Sequence, residues 1–273
     1  MQRLSAAIVT YFPDRALLAR TLRSLGEAID AARRDGAISD AKVYVIDNGD
    51  DGSLAAVRAA LADAAASAPA VEIVHGQGNV GYGGANNLLL ARLDTDVHLV
   101  MNPDVEVASD AISEAARAME RDPQLGALAP AVRGGAGERQ YLCKRYPSLW
   151  ILFLRGFAPP WLRRRCQRAL DRYEMRDLAP DEPFAPVPLA SGCFLLLRTA
   201  LFSRLGGFDE RYFMYFEDYD LSLRIGRAAK VAYVPRVRIV HHGGEASRKG
   251  WRHVSWFLRS AWRFFSTHGW KVA

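Results

Sequence analysis

VYVIDNGDDGSLAAVRAALADAAA, residues 43–66, decides the class of fold. A β-branched run closes on the carboxylate of Asp47, turns through Asn48-Gly49, and hands over to an alanine-rich stretch, Leu54–Ala66. That is one strand (Lys42–Asp47), one turn and one helix of a βαβ unit. Working outward, the same alternation repeats. Upstream, Leu4–Tyr11 reads as a strand and Arg15–Arg34 as a helix with Leu18, Leu22 and Leu25 on one face. Downstream, Val71–His75 and Val97–Met101 read as further strands. Right-handed crossovers place the helices on the sheet and gather the strand C-terminal ends along one rim, where ligands of such sheets sit. The expected fold is α/β, a single mainly parallel central sheet flanked by helices.

After Met101 the rhythm changes. Ser109–Arg121 reads as a helix capped by Ser109, and Gly134-Gly135-Ala136-Gly137 as a flexible break. Leu149–Arg176 interleaves Trp150, Phe153, Phe157 and Trp161 with Arg155, Arg163, Arg164, Arg165 and Arg168. Ala179–Pro188 reads as an irregular connection, Val187–Arg198 as a strand and Gly206-Gly207 as a turn. A helix after Glu217 and two short strands, Val231–Val234 and Val237–Val240, follow.

A chain of 273 residues, 50% hydrophobic, buries a large core. No stretch reaches the roughly 18 apolar residues of a membrane span. Met1–Tyr11 carries no basic leader, so no secretory signal is expected. The three cysteines, Cys143, Cys166 and Cys193, are too scattered for a disulfide framework or zinc cluster; they are expected to be packing residues in a reducing cytoplasm. The net charge of +6 is uneven: residues 1–140 hold 13 Lys/Arg against 19 Asp/Glu, and the remainder is strongly basic. The basic half calls for an acidic partner, whether nucleic acid, an anionic membrane surface or a phosphate-bearing substrate.

Four clusters follow strands or open helices. Asp47-Asn48-Gly49 offers a carboxylate to a base N–H or ribose hydroxyl, or forms an Asx-type turn. Asn79-Val80-Gly81-Tyr82-Gly83-Gly84-Ala85-Asn86-Asn87 opens a helix with bare amides suited to an anion, the alternative being a loop with its cap. It is not a dinucleotide fingerprint, because Asn86 stands where the third glycine belongs. Asn102-Pro103-Asp104 puts a carboxylate on a stiff turn, either to hold a hard divalent cation or to serve the turn alone. Glu217-Asp218-Tyr219-Asp220 crowds three acids among aromatic rings, which suits a general base and equally an acidic helix N-terminus. His241-His242-Gly243-Gly244 adds an imidazole after the last strand, where surface histidines are the alternative.

Taken in order, with Ala7–Tyr11, Ser191-Gly192 and Gly206-Gly207-Phe208-Asp209-Glu210, these motifs span roughly residues 4–246. They resemble glycosyltransferase family 2, inverting enzymes of the GT-A fold, and especially its bacterial rhamnosyltransferase-like members. The resemblance implies a GT-A domain over 1–246 with a nucleotide-binding half to about 105. The acceptor half, 106–246, contains a smaller antiparallel part and a helical insert near 149–178, and an amphipathic helical extension covers 247–273. It implies that Thr10, Tyr11, Asp47, Asn79, Gly81, Gly84 and Asn102 bind the donor nucleotide, and that Asp104 and His241, rather than His242, hold Mg²⁺ or Mn²⁺. Asp218 is then the catalytic base, with Gly192, Phe208, Asp209 and Glu217 on the acceptor side. The implied reaction moves a sugar, by preference L-rhamnose from dTDP-rhamnose, from a nucleotide-diphosphate donor to a glycan or lipid-diphosphate-linked acceptor in cell-surface polysaccharide synthesis.

Arg248–Lys271 pairs tryptophans and phenylalanines with arginines and lysine. It is expected either to lie on an anionic membrane or to pack on the core with a solvated basic face. The expected location is the cytoplasm, with peripheral contact at the inner face of a bacterial cytoplasmic membrane. Two rival readings are a sugar nucleotidyltransferase and a non-enzymatic basic module binding an anionic polymer. The first wants a glycine-rich basic loop where Thr10–Asp14 stands. The second, with its nucleic-acid variant, is opposed by the acidic clusters.

Overall fold

The computed structural model describes residues 1–178, 184–243 and 251–273. Its strands are β1 (Gln2–Thr10), β2 (Ile38–Asp47), β3 (Val71–Val74), β4 (Val97–Met101), β5 (Val105–Val107), β6 (Leu125–Arg133), β7 (Arg139–Gln140), β8 (Ala185–Pro186), β9 (Phe194–Arg198) and β10 (Lys230–His241). The sheet runs β3-β2-β1-β4-β9-β6-β10-β5, with β7 beside β6 and β8 beside β10. Its first four strands are mutually parallel. Strand β9 enters antiparallel between β4 and β6, and β6 and β10 are again parallel.

Helix α1 (Arg15–Arg34) has the expected bounds, capped by the Asp14 side chain, and Leu18, Leu22 and Leu25 are wholly buried. Each such leucine contributes about 1.5–3 kcal/mol by leaving water. Helices α2 (Asp51–Ala64), α3 (Gly81–Asn87) and α4 (Ala111–Arg121) follow. The helical insert is α5 (Leu149–Gly156), α6 (Pro160–Arg165) and α7 (Gln167–Tyr173); then come α8 (Thr199–Arg204), α9 (Glu217–Gly226) and α10 (Trp251–His268).

Several expectations are corrected. Ser109 does not cap α4: Asp110 occupies the cap position without a side-chain capping bond, its carboxylate being bound by Arg238 instead. Gly134–Gly137 is the turn between β6 and β7, closed by Gly134 N–H to the Glu138 carbonyl at 2.7 Å. The strand expected from Val187 starts only at Phe194, because Val187–Cys193 bends past β10 toward Lys144. The two short strands at 231–240 are one strand, β10, whose register slips between Val234 and Arg238. Gly244 and residues 179–183 lie outside the described residues, as do Arg248 and Lys249 of the C-terminal stretch. Cys143 and Cys193 are buried, as expected of packing residues, and Cys166 is half-buried.

The register collects one rim. Thr10 pairs with Asp47, Met101 with Phe194, and His241 with Val105. The C-terminal ends of β1, β2, β4 and β10 therefore lie along the same edge as the starts of β9 and β5.

Candidate active site

At the β1–β2 end of this rim, Asp47 is wholly buried. Its Oδ1 accepts from the hydroxyls of Thr10 at 3.0 Å and Ser53 at 2.6 Å and from Gly49 N–H at 3.3 Å, and His75 Nδ1 sits 3.2 Å from Oδ2. Gln77 donates to the Asp47 carbonyl at 2.8 Å. The carboxylate is thus spent on shaping the loop; Tyr11, 58% exposed, and His75 are what this end presents to a ligand. Serine, histidine and glutamine partners this distant in sequence gave no motif of their own.

In the glycine-rich segment, expected as an anion site or a loop with its cap, two amides are claimed within the fold. Asn79 Oδ1 accepts Gly81 N–H at 3.1 Å, and Tyr82 N–H donates to the Phe213 carbonyl at 3.4 Å, so these amides already have partners. Gly81 has φ +77°, and a Cβ there would lie 2.3 Å from the Phe213 carbonyl oxygen. This glycine lets the start of α3 approach the chain leading to α9. Gly84 is less constrained: a Cβ would meet only ordinary contact with Val80.

Tyr82 projects from α3 into the cleft and donates its hydroxyl to the Gly192 carbonyl at 2.7 Å. Gly192 N–H in turn donates to Asp218 Oδ2 at 3.0 Å, while Tyr219 N–H donates to Oδ1 at 2.8 Å. Asn102, Gly192, Glu217 and Asp218 line one cleft of about 390 Å³, with Tyr82, Arg155, Tyr173 and Phe257. Asp104 belongs to the same neighbourhood. Burial, and beyond it the charges of Asp104 and Asp218 together, push the Cys193 thiol up to about 12.

The backbone before the acids is strained. Tyr215 and Phe216 adopt left-handed conformations (φ 70° and 66°), which for non-glycine residues cost about 1–3 kcal/mol each. Helix α10 supports them: Ser260 donates to the Met214 carbonyl at 2.8 Å, Tyr215 OH lies 3.0 Å from His253 Nδ1, and Phe216 packs on Phe257 and Phe264. A second tie joins α9 to α10, with His268 Nε2 2.7 Å from Asp220 Oδ1 and Arg224 on the other carboxylate oxygen. Asp220 therefore serves the scaffold while its two predecessors face the cleft.

Burial first, then the charge of Asp218, raises Glu217 to about 8; burial also raises Asp218. Two amides on its oxygens and its place in the first turn of α9 favour ionisation at Asp218. Glu217 Oε2 is buried without a hydrogen-bond partner among the described residues. Burial thus favours keeping a proton on the Glu217–Asp218 pair, and the two amides favour placing the remaining negative charge on Asp218.

Asp104 Oδ1 and His241 Nε2 face each other at 3.5 Å, and His241 Nδ1 lies 3.1 Å from Gln140 Oε1, which orients the ring. His242 instead pairs with Glu106. One carboxylate and one imidazole suit a divalent cation that takes its remaining ligands from phosphate and water, while no cluster of three or more ligating residues occurs among the described residues. Of the expected acceptor residues, Gly192 and Glu217 reach the cleft and two do not. Phe208 is buried against Tyr82 and Phe202, and Asp209 is held by Arg211. The Gly206-Gly207 turn sends Phe208 inward; both glycines have φ near +70°, and a Cβ on Gly207 would lie 2.2 Å from Asn87 Oδ1. Arg155 and Tyr173 of the insert were not foreseen at the cleft; the aromatic–arginine interleaving of Leu149–Arg176 was their only trace in sequence.

This sheet, with a pair of neighbouring carboxyls and an Asp–His pair on one rim, is that of a GT-A glycosyltransferase. The model of the Glycosyl transferase family 2 matches residues 5–205, and the chain belongs to that family. It is 34% identical over 222 residues to an N-acetylglucosaminyl-diphospho-decaprenol L-rhamnosyltransferase of Mycobacterium tuberculosis, covering 74% of this chain and 69% of that protein. Over 82 residues it is 37% identical to rhamnosyltransferase WbbL of Escherichia coli, 29% of this chain and 31% of that one. Among solved structures it is similar to the mannosyltransferase PcManGT of Pyrobaculum calidifontis in complex with GDP-Man and Mn²⁺ (TM-score 0.62, 20% identity, 96% of this chain and 64% of that one). A GalNAc-T7 structure with UDP, GalNAc and Mn²⁺ has TM-score 0.62 at 17% identity, over 88% of this chain and 43% of that one. The chain thus spans less than two thirds of either solved relative, and at these identities the likeness is one of fold.

Proposed function

We propose that this glycosyltransferase moves L-rhamnose from dTDP-rhamnose, with inversion, onto a hydroxyl of a lipid-diphosphate-linked sugar. The observation that carries the reaction type is the Asp218 carboxylate, fixed by two amides in a cleft shared with Asn102, Gly192 and Glu217. The acceptor hydroxyl enters on the Asp218 side and attacks the anomeric carbon as the bond to the diphosphate oxygen breaks. Its proton passes to the Asp218 carboxylate, and the nucleoside diphosphate departs. Thr10, Tyr11, Asp47, Asn79, Gly81, Gly84 and Asn102 form the donor end, several of them by shaping the loops rather than by touching the ligand. Asp104 and His241 would hold Mg²⁺ or Mn²⁺, which supplies charge stabilisation to the diphosphate leaving group. The Mn²⁺ and nucleotide in the solved relatives and the lipid-diphosphate acceptor in the mycobacterial relative's name support these choices.

No helix among the described residues is long and apolar enough to cross a membrane. We infer peripheral contact with the inner face of a bacterial membrane through α10, whose inner side packs on the core while Trp251, Leu258 and Trp262 remain exposed. The decisive experiment incubates the full chain with dTDP-rhamnose, UDP-GlcNAc or GDP-mannose, with and without Mn²⁺, and a short-chain polyprenyl-diphosphate-GlcNAc acceptor. Rhamnosylated product from dTDP-rhamnose alone is expected. Transfer from another donor corrects the sugar, and no turnover or binding of any donor overturns the reading.

A further inference from the structure

Beside the catalytic cleft lies a second cavity of about 590 Å³, roofed by the insert helices and by α10. The two spaces are continuous, because Leu152, Arg155, Tyr215 and Phe257 line both. Its wall is of two kinds. Leu170, Val254, Phe157 and Phe257 are apolar, while Arg155, Arg163 and Arg176 supply guanidinium groups.

We propose that this cavity is the subsite for the diphosphate and first isoprenoid units of the acceptor lipid. The inference rests on the proposed function and names the place where that acceptor docks. Charge and continuity both argue for it. Glu174 is the carboxylate in the wall, and Lys144, Arg155 and Arg176 lie within 4.0 Å of it, at 3.6, 4.0 and 2.8 Å. Arg163 has no carboxylate partner among the described residues. Asp171 pairs with Arg176 as well, at 3.1 Å, so with Lys144 behind the wall four cations, Lys144, Arg155, Arg163 and Arg176, face two carboxylates, leaving a surplus for a phosphate. An occupant whose sugar reaches Asp218 must carry its next groups past Arg155, the residue common to both spaces. A diphosphate followed by a hydrocarbon fits a wall that carries Arg155 at the junction, Arg163 and Arg176 beyond it, and apolar surface from Leu170 on α7 and Val254 on α10. A polar glycan would leave Leu170, Val254 and Phe157 facing sugar hydroxyls.

The test uses the full chain and farnesyl diphosphate as probe, with saturating dTDP present so that the donor site is closed to it. Binding is read by calorimetry against inorganic pyrophosphate and farnesol. Farnesyl diphosphate is expected to bind under these conditions and both fragments about tenfold or more weakly. Val254→Trp, which fills the cavity, and Arg163→Gln should each weaken farnesyl diphosphate about tenfold. Undiminished dTDP binding certifies that each variant is folded. Loss of probe binding when dTDP is added, equal binding of pyrophosphate, or indifference to both substitutions overturns the proposal. Any of these alongside intact rhamnosyl transfer sinks the subsite alone, whereas failure of dTDP-rhamnose to bind or react sinks the function it rests on.

Discussion

Two acids on the same rim, Asp47 and Asp218, have opposite employments. Asp47 is wholly enclosed, with two hydroxyls and an amide on one oxygen and an imidazole beside the other. Asp218 receives one amide on each oxygen and keeps open space before it. Asp47 is fully buried with its oxygens claimed, whereas Asp218 is half-buried with space before it, which is what the proposed role as base requires. The largest expected effect follows. Asp218→Asn keeps one of the two amide contacts and cannot take a proton, so transfer should fall about 10²- to 10⁴-fold with nucleotide affinity nearly unchanged. A matching loss of nucleotide affinity in calorimetry would make Asp218 a donor-site residue and erase the contrast.

Asp47→Ala sharpens the same comparison from the other side. It strands the Thr10 and Ser53 hydroxyls and the Gly49 amide, and it should lower unfolding stability in urea by about 3 kcal/mol. Unchanged stability with a selective loss of nucleotide binding would show that the carboxylate contacts ligand directly.

Glu217 extends the contrast to pH. Its folded value of about 8 stands above the ordinary 4.5, so the folded protein keeps a proton that the unfolded chain has released. The stability from that proton is fully present below about pH 4.5 and is lost as pH rises through about 8. Glu217→Gln, neutral throughout, should match the wild type near pH 4 and exceed it by roughly 5 kcal/mol near pH 9. Parallel melting curves for the two proteins across that range would place Glu217 outside the coupled pair.

The halves also differ in how openly their sequence declares them. The bounds of β4 and α1 coincide with the spans read from sequence, because a β-branched run and a leucine stripe have nothing to compete with in their surroundings. Strand β6 was missed: LGALAPAVR is small-residue and proline-bearing, almost wholly buried, and so shows neither strand propensity nor alternation. At the site, Asp104, His241, Asn102, Gly192, Glu217 and Asp218 were legible because each stands in a local motif. The Tyr82–Gly192 bond, joining residues 110 apart, leaves no such trace. Nor do the left-handed Tyr215 and Phe216, since no glycine marks the strain; α10 holds them, and its contacts exist only in the folded chain.

The smallest expected effect on the fold concerns the outer face of α10. Trp251, Leu258 and Trp262 fall at i, i+7 and i+11, one side of a helix, and are 88%, 53% and 68% exposed. Arg252 and Arg259 are exposed beside them, while Phe264 and Phe265 are buried on the opposite side. One helix thus braces the loop before Glu217 and Asp218 from within and offers an apolar, basic face outward. Trp251→Ser with Leu258→Ser should shift stability by no more than about 0.5 kcal/mol for each change, since neither side chain belongs to the core. Sedimentation with phosphatidylglycerol vesicles at low salt should nevertheless fall several-fold, and Arg259→Gln should lower it further by roughly 1 kcal/mol of surface attraction. If the wild-type chain itself stays in the supernatant, α10 is a brace for Tyr215 and Phe216 and nothing more. If the double variant unfolds readily instead, the exposed tryptophan and leucine belong to an interior contact, and the division of the helix into two working faces fails.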